Sequence, residues 1–406
     1  MAQGCGAIRM LANSCLEEWN MASPATPIPA AGAEPLHPAV HPQGLSHPAA
    51  HPEGQEQSIH HSANAKVPWP PAVWESIHRS VHEEVSRVEI AHRFMRVHSV
   101  HPKTTSVPPD LITSQVLPGD PDSNNTLMVD EGITIRLNEI WTEFALTPQQ
   151  VHETAESKHP EHCTAVTLAR RAAQYLALAK NMVVLQGSNA YNTQYFKQYI
   201  RFRPGQVPLD QGLLGAGPGT RYSAPAPASG SPAPGAVGTT LQVKPLSATE
   251  NVNTAVSFGV TWGQNTFAEV ANGYTILNDM GHPGEYALVL GTDPYADLFA
   301  PVGGGSLVIT ADRVTPLVKT GLISTAALPP YTGVQPTSPP AGSPPASPYF
   351  GLLVDPVGDN MDVVVGLHAV TVFMQQDSND NWRFRVLTRF ALRLKDPTAV
   401  VVLQFN

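Results

Sequence analysis

The chain has 406 residues, of which 42% are hydrophobic and 14% charged, and its formal net charge is −9. This length allows two or more compact units with cores of their own, and the acidity argues against a protein that binds nucleic acid through its phosphates. No apolar run is long enough to span a membrane, and charged residues interrupt the N-terminal segment where a signal peptide needs an apolar stretch. The widely spaced Cys5, Cys15 and Cys163 predict neither a disulfide framework nor a zinc site, which favours a reducing cytosol.

Residues 1–66 are predicted to form a disordered N-terminal arm. From residue 24 onward the arm consists mainly of Pro, Ala, His, Gly and Gln, so it has little to bury. His-Pro dipeptides recur in it, which leaves a weak metal-binding or pH-responsive role open beside the simpler interpretation of a disordered tail.

An amphipathic helix is predicted after the prolines at positions 68, 70 and 71. Its apolar stripe, with residues spaced three or four apart, consists of Trp74, Ile77, Val81, Val85 and Val88. Residues 102–130 are polar and rich in proline, and they indicate a long excursion that a two-stranded arm would suit.

Alternating hydrophobicity returns at Gly132, and its phase changes near Asn138, which predicts a bulge. Thr147 is expected to cap a helix, with Gln150 as its capping-box partner. The strongest helix signal covers residues 165–185 and stops at Gly187. This helix is rich in alanine and apolar on two faces, so we expect a buried spine.

The middle of the chain is loosely patterned up to residue 253 and rich in Gly, Pro, Ala and Ser between residues 215 and 238. An α/β module is expected beyond it. Its helices are predicted at 267–277, 293–299 and 311–319, and its strands at 286–290, 322–327 and 349–354. Asp293 is expected to cap the second of these helices, and Asp297 to lie on its solvated face. Residues 329–348 form a second low-complexity insert.

The C-terminal segment predicts strands at 363–365 and 369–374, a polar loop at 375–381, and a long strand at Trp382–Leu394. One face of the long strand is apolar, and the other carries Arg383, Arg385, Arg389 and Arg393. Two interpretations of the arginine face stay open: a solvated or ion-paired face, and a surface that meets another subunit. Residues 399–403 are expected to form a last buried strand.

The sequence contains few candidates for catalysis. It has no Gly-x-Ser-x-Gly elbow, no P-loop and no Cys-x-x-Cys. His159 and His162, which lie beside Cys163, are interpreted as polar residues that flank the spine helix. No catalytic residue, metal site or cofactor is predicted.

The order of these elements resembles that of the linocin-like encapsulin nanocompartment shell proteins, which share the Hong Kong 97-type bacteriophage capsid fold. The resemblance extends over most of residues 70–406, and its specificity lies in the order of the segments. The segments that carry it are the helix from Trp74 to Met95, residues 135–150, LARRAAQYLALAKNMVVLQG, GEYALVLGTDPYADLF, GDNMDVVVGLHAVTVFM and WRFRVLTRFALRL.

The resemblance implies an α+β fold whose parts follow one another along the chain. They are an N-terminal lumen-facing helix at 67–100, an extended loop at 101–131, a peripheral domain with the spine helix and a Gly/Pro-rich insert at 132–254, an axial domain with the 329–348 insert at 255–358, and a C-terminal hairpin of the peripheral domain at 359–406.

The resemblance also implies two kinds of site. Cargo would dock on Val85, Val88, Ala369 and Thr371. A fivefold pore would be lined by Val302, Gly303, Gly304, Gly305 and Ser306. One departure lies beside the cargo site, where the Gly-x-Asp loop of the family is replaced by Gly366-Leu367-His368.

The implied function is a self-assembling icosahedral shell in the cytoplasm that admits small solutes through pores. Its implied partners are other copies of the chain and an enclosed cargo enzyme, such as a peroxidase or a ferritin-like protein, without nucleic acid or membrane. Two alternatives stay open. One is a viral or proviral major capsid protein of the same fold, and the other is an enzyme in its own right or a secreted bacteriocin.

Overall fold

The structure is a computed structural model that describes residues 64–115, 126–130, 133–203, 212–216, 239–243, 262–300, 308–328 and 349–405. These residues all belong to one unit, Pro52–Asn406, and the other unit, Met1–His51, lies outside them. The predicted pore residues 302–306, most of the predicted arm and the insert at 329–348 also lie outside the described residues.

The first half of the described chain contains the long helices. In chain order its elements are α1 (Pro71–Val88), β1 (Arg96–Ser99), β2 (Ser106–Val107), β3 (Leu111–Gln115), β4 (Thr126–Asp130), β5 (Ile135–Arg136), β6 (Asn138–Leu146), α2 (Pro148–Glu156), α3 (Thr164–Gln186), α4 (Gln194–Tyr199), β7 (Arg201–Phe202) and β8 (Thr239–Val243).

The second half is richer in strands. Its elements are α5 (Gly263–Asp279), β9 (Ala287–Gly291), α6 (Thr292–Asp297), α7 (Thr310–Val314), β10 (Gly321–Thr325), β11 (Tyr349–Val354), β12 (Met361–Gln376), β13 (Trp382–Leu394) and β14 (Val400–Phe405). Short 3-10 helices lie between several of these elements.

The strands form two five-stranded sheets, with the orders β1-β12-β13-β6-β7 and β10-β9-β11-β14-β8. The chain passes from the second sheet to the first after β11 and returns after β13. Two short ladders complete the topology, and one of them pairs β3 with β4 in antiparallel register. This pair is the two-stranded arm that the polar segment at 102–130 predicts.

The spine helix α3 lies at the centre of the first core, as predicted. Its alanines, among them Ala169, Ala173 and Ala179, are fully buried, and small side chains let neighbouring elements approach its backbone closely. The helix packs against α1 on one side and against β6 and β13 on another. It ends at Gly187, whose positive φ of 56° suits a residue without a side chain.

The strands predicted at 363–365 and 369–374 are one continuous strand, β12. The break predicted between them was therefore wrong. The pairing of β12 with β13 continues past this segment through Leu367, which lies opposite Arg389, and the irregularity takes the form of shifts in register on either side of Leu367. A side chain at Gly366 would meet the Leu137 side chain at 2.5 Å, so the glycine here serves close packing and does not end a strand.

The first long helix is shorter than its resemblance segment, which reaches Met95. It ends at Val88, and a 3-10 helix and β1 follow. Asn181 on α3 explains the end, since its side chain accepts from the Ile90 N–H and donates to the Val88 carbonyl. A residue of the spine thereby satisfies the Val88 carbonyl, which the helix end leaves without an intrahelical partner, and also the Ile90 N–H just beyond it.

The capping predictions had mixed outcomes. Thr147 and Gln150 form the predicted capping box at the start of α2. Asp293 does not cap α6, whose N-cap residue is Gly291 and has no side chain to bond. The predicted solvated Asp297 instead accepts from the Trp262 and Gly263 N–H groups at 2.9 and 2.7 Å, so it caps the start of α5 from a distant part of the chain.

Candidate functional site

The predicted cargo residues lie where α1, α3 and β12 meet. Val85 on α1 and Ala369 on β12 line one cavity of about 20 Å³, which has room for about one water molecule. Leu176 and Ala177 of the spine helix contribute to its wall. The structure therefore brings two of the four predicted residues together in the lining of one small cavity.

The other two predicted residues lie outside this cavity lining. Val88 is half-buried at the end of α1, and its carbonyl accepts from Asn181. Thr371 is fully buried, and its hydroxyl has no hydrogen-bond partner among the described residues. A docked molecule can therefore reach the Thr371 side chain only if the residues that cover it move.

One of the groups at Thr371 comes from the predicted arm. The Asn64 side chain donates to the Thr371 carbonyl at 3.2 Å and accepts from the Phe373 N–H at 2.9 Å. The Thr371 carbonyl and the Phe373 N–H are backbone groups of the kind that a neighbouring strand bonds, and here Asn64 bonds them instead. β1 pairs with β12 only over Asp362–Val365, so Asn64 occupies a part of the β12 edge beyond the last strand partner. Asn64 is only 8% exposed, although the sequence places it in a disordered arm.

The residues that follow Asn64 are held on the core face of the first sheet. Trp69 stacks on Phe384 with ring centroids 5.1 Å apart, and its indole N–H donates to the Val151 carbonyl at 3.0 Å. Trp74 at the start of α1 lies 5.0 Å from Trp69. This aromatic cluster fixes the direction in which the chain enters α1.

The cavity has a buried ion pair that the sequence analysis missed. Lys180 of α3 and Glu89 lie 2.6 Å apart, and their side chains are 7% and 9% exposed. The Lys180 ammonium also lies 5.4 Å from the centroid of the Phe390 ring. The available signal was a lysine on the buried face of an alanine-rich helix, which needs a partner when it is buried.

His368, at the position where the sequence departs from the Gly-x-Asp loop, also lines the cavity. Its Nε2 lies 3.3 Å from the Ser99 hydroxyl, at the point where β1 ends. The departure thus places an imidazole beside the predicted docking residues, where the family pattern has a carboxylate.

The arginine face of β13 is largely ion-paired within the chain. Arg383 lies 3.4 Å from Asp377, and Arg389 lies 2.6 Å from Glu139. Arg393 pairs with two carboxylates, those of Asp362 and Asp110. The first of the two interpretations therefore holds for three of the four arginines, Arg385 being the exception among the described residues.

Arg393 is the best supported of these arginines. It lies 2.6 Å from Asp362 and 2.5 Å from Asp110. The Asp362 carboxylate, through hydrogen bonds and charge, raises the pKa of Arg393. Asp110 has a positive φ of 52°, which is uncommon for a residue other than glycine, and it immediately precedes β3. The pair therefore anchors the base of the β3–β4 arm on the first sheet.

A second polar cluster lies where the chain passes between the two sheets. His282 is 8% exposed, and its Nδ1 lies 3.5 Å from Asp355 and its Nε2 3.6 Å from Asp396. The same Nε2 lies 2.8 Å from the Thr398 hydroxyl. Asp355 directly follows β11, and Asp396 and Thr398 precede β14, so one imidazole contacts both connections between the sheets.

Within the described residues, no group of three or more His, Cys, Asp or Glu side chains lies close enough to hold a metal ion. No helix in the same part of the chain is long and apolar enough to cross a membrane. Cys163, at the start of the spine helix, is a free thiol.

Comparison with known proteins adds a sequence match and a fold match. Residues 243–335 match the family model for an encapsulating protein for peroxidase. The structure is similar to the virus-like particle from Pyrococcus furiosus, with a TM-score of 0.50 and 13% identity over 81% of this chain and 98% of that chain. No curated protein matches the sequence significantly.

Capsid proteins of tailed phages also match, at lower TM-scores. The capsid of Myoviridae phage XM1 gives 0.44 at 11% identity, over 79% of this chain and 92% of that chain. The mature capsid of bacteriophage PhiM1 gives 0.42 at 12% identity, over 78% and 87%. The likeness to the virus-like particle, together with the mixed helices and sheets, confirms the predicted α+β fold of the Hong Kong 97 type.

Proposed function

Since the resemblance to the encapsulin shell proteins is confirmed in sequence and in fold, we propose that this chain is the subunit of a closed icosahedral shell that encloses a cargo enzyme. The observation that carries the proposal is the match of residues 243–335 to the family model of an encapsulating protein. The fold by itself would suit a phage capsid as well, whereas the family match favours a compartment for protein cargo.

The parts of the subunit take their proposed roles from the resemblance. α1 faces the lumen, the β3–β4 arm extends toward a neighbouring subunit, and residues 302–306 surround the fivefold pore. The Arg393–Asp110 ion pair supports the second role, because it fixes the base of the arm to the first sheet. Residues 255–358 form the axial domain. The first sheet and α3 form the core of the peripheral domain.

Cargo is proposed to dock beside α1 and β12 through an extended segment of its own chain. Val85 and Ala369 line the same cavity, and an extended peptide can add to a strand whose edge lacks a neighbour. Among the described residues, β12 has no strand partner on this edge after Val365, where β1 ends, and Asn64 bonds the edge only at Thr371 and Phe373. The family name points to a peroxidase as the cargo, and a ferritin-like protein is the second class that the resemblance suggests. The subunit itself contributes enclosure and no catalysis, in the cytoplasm.

Electron microscopy of the purified full-length protein after size-exclusion chromatography tests the shell. We expect uniform hollow icosahedral particles that elute in the void volume and have the absorbance ratio of protein without nucleic acid. Particles filled with DNA, with portal and terminase genes beside the coding sequence, would instead support the viral or proviral capsid. A monomer or small oligomer across several salt and pH conditions would contradict both.

The docking site is tested with a Val85→Asp variant, co-expressed with the cargo candidate encoded beside the shell. A charge at this half-buried position should exclude an apolar docking segment, and we expect shells of normal size that contain little cargo. Val357→Asp is the matched control, because Val357 is 50% exposed and lies outside the site. Equal loading of both variants would contradict the assignment.

A further inference from the structure

The arginine face of the first sheet contains one guanidinium that the chain does not pair. Among the four arginines of this face, Arg383, Arg389 and Arg393 have carboxylate partners. Arg385 has none among the described residues, and its Nε is buried without a hydrogen-bond acceptor there. A buried donor without a partner costs free energy, and the described chain thus leaves part of the hydrogen-bonding capacity of this guanidinium unused.

Arg385 lines a cavity of about 210 Å³ between β13, β6 and the residue after β7. Arg389 and Arg203 also line this cavity, together with Glu139. Leu367 and Leu387 provide its apolar lining, and both are buried in a small hydrophobic cluster on this face. The cavity is thus large enough for a small polyatomic ion and partly shielded from water.

The charges around the cavity leave an excess of positive charge. Glu139 is bound closely by Arg389, whose Nη2 lies 2.6 Å from it and whose Nη1 donates to the Pro102 carbonyl at 2.9 Å. Arg203 reaches the same carboxylate only at 3.4 Å, and its side chain is 60% exposed. Three guanidinium groups therefore line the cavity beside one carboxylate, which bonds Arg389 and Arg203, and Arg203 forms no other side-chain hydrogen bond among the described residues.

Two further groups lie next to Arg385 and limit how it can move. Its guanidinium carbon lies 5.5 Å from the centroid of the Trp141 ring, which favours a stacked, oriented guanidinium. Glu143, opposite Arg385 on β6, is exposed and accepts from the Trp141 indole N–H at 3.0 Å. The nearby carboxylate is thus directed to the indole, and Arg385 is left oriented toward the cavity that it lines.

We propose that this cavity is a binding site for a small oxyanion of the phosphate class, with Arg385 and Arg203 as ligands. Planar guanidinium groups bind phosphate oxygens through paired hydrogen bonds. The Arg389–Glu139 ion pair forms part of the wall, where the two charges largely balance each other, so the net positive charge comes from Arg385 and Arg203. The site does not depend on the proposed function, because all its residues belong to one subunit.

Calorimetric titration of inorganic phosphate into the purified full-length protein, in a buffer without other oxyanions, tests the proposal. We expect saturable binding that weakens by about tenfold or more in Arg385→Gln, the loss typical of a charged hydrogen-bonding group. Arg383→Gln is the matched control, since it lies on the same face of the same strand but outside the cavity, and its affinity should equal that of the wild type.

Arg203→Gln keeps the test valid if Arg385→Gln does not fold, because the exposed Arg203 side chain can be changed without disturbing the core. Affinity should fall in this variant too, and a map of the protein with phosphate should show density between the two arginines. Absence of saturable binding, or equal binding by all three variants, would overturn the proposal. So would a wild type that ignores phosphate while Arg385→Gln disrupts assembly, because a carboxylate of a neighbouring copy would then fill the cavity.

Discussion

Asp297 shows how one side chain can have a role that its own neighbourhood in the sequence does not indicate. It lies at the end of α6, where a carboxylate on a solvated helix face is the ordinary expectation, yet it accepts the first N–H groups of α5. Burial raises the pKa of Asp297, and the two hydrogen bonds from Trp262 and Gly263 oppose this only in part. The Asp297 carboxylate therefore caps α5 from a buried position that disfavours its ionised form.

The sign of this shift gives a pH-dependent prediction. A carboxyl whose pKa is higher in the folded than in the unfolded protein stabilises the fold at a pH below its unfolded pKa of about 3.9, and this contribution is lost as the pH rises through the folded pKa. Asp297→Asn keeps an acceptor but never ionises. We expect its thermal midpoint to be equal to or above that of the wild type at pH 7, with the difference shrinking toward pH 4.

Asp297→Ala is the comparison variant. It removes the acceptor altogether, so it should lower the free energy of unfolding by about 0.5–2 kcal/mol at both pH values, as other lost helix caps do. A midpoint of Asp297→Asn well below that of the wild type at pH 7 would show that the charge itself stabilises the helix start.

At the scale of the element, the edge of β12 is the feature that decides what the candidate docking site can do. Asn64 bonds two backbone groups of this edge, and 309 residues separate it from Phe373 in the sequence. The chain thereby places its own N-terminal segment on part of the surface that a docked peptide would need. Docking beside Val85 and docking over Thr371 are consequently different events, and only the second requires Asn64 to leave.

Asn64→Ala should open this edge without unfolding the subunit. The Phe373 N–H and the Thr371 carbonyl lose their partner, at a cost of about 1–3 kcal/mol for such buried groups. We expect faster hydrogen exchange in peptides that cover residues 367–376 and little change elsewhere. Asn278→Ala, which removes an exposed side-chain bond to the Tyr274 carbonyl, is the control. Unchanged exchange at Phe373 would mean that other residues protect the edge.

Element types were predictable wherever local pattern and tertiary structure agree. The alternation of Trp382–Leu394 and the capping box of Thr147 both depend on residues close in sequence, and both are confirmed. The roles of Asn64 and Lys180 were not predictable, because their partners come from distant segments. The break predicted in β12 was wrong for a related reason: pairing with β13 continues past a local irregularity that the sequence pattern shows as an end.

At the scale of the whole molecule, His282 links the two connections between the sheets. Asp355 and Asp396 lie on either side of its ring, and Tyr286 donates to its backbone carbonyl. Removal of the imidazole leaves two carboxylates in one partly buried space without the group between them. The two sheets share this contact, so a change here is expected to affect both of them together.

His282→Leu should therefore lower the free energy of unfolding by about 1–3 kcal/mol, the cost of leaving buried polar groups unpaired. Two further backgrounds keep a single tryptophan each: Trp69, in the core around α3, or Trp262, in the core around α5. In both backgrounds the tryptophan fluorescence should report one unfolding transition at the same lowered midpoint. His152→Leu is the control, because the His152 side chain is 72% exposed. An unchanged midpoint would show that the carboxylates are satisfied without the ring.

The pairing of β12 and β13 with early segments has a consequence for synthesis on the ribosome. Arg389 meets Glu139 across 250 residues of sequence, and β1 pairs with β12 in parallel register. The spine helix and β6 leave the ribosome long before the two strands that cover them, and such long-range pairing forms late. A nascent chain that has not reached Leu394 cannot complete the first sheet. Until then the face of the spine helix that packs against β13 stays uncovered.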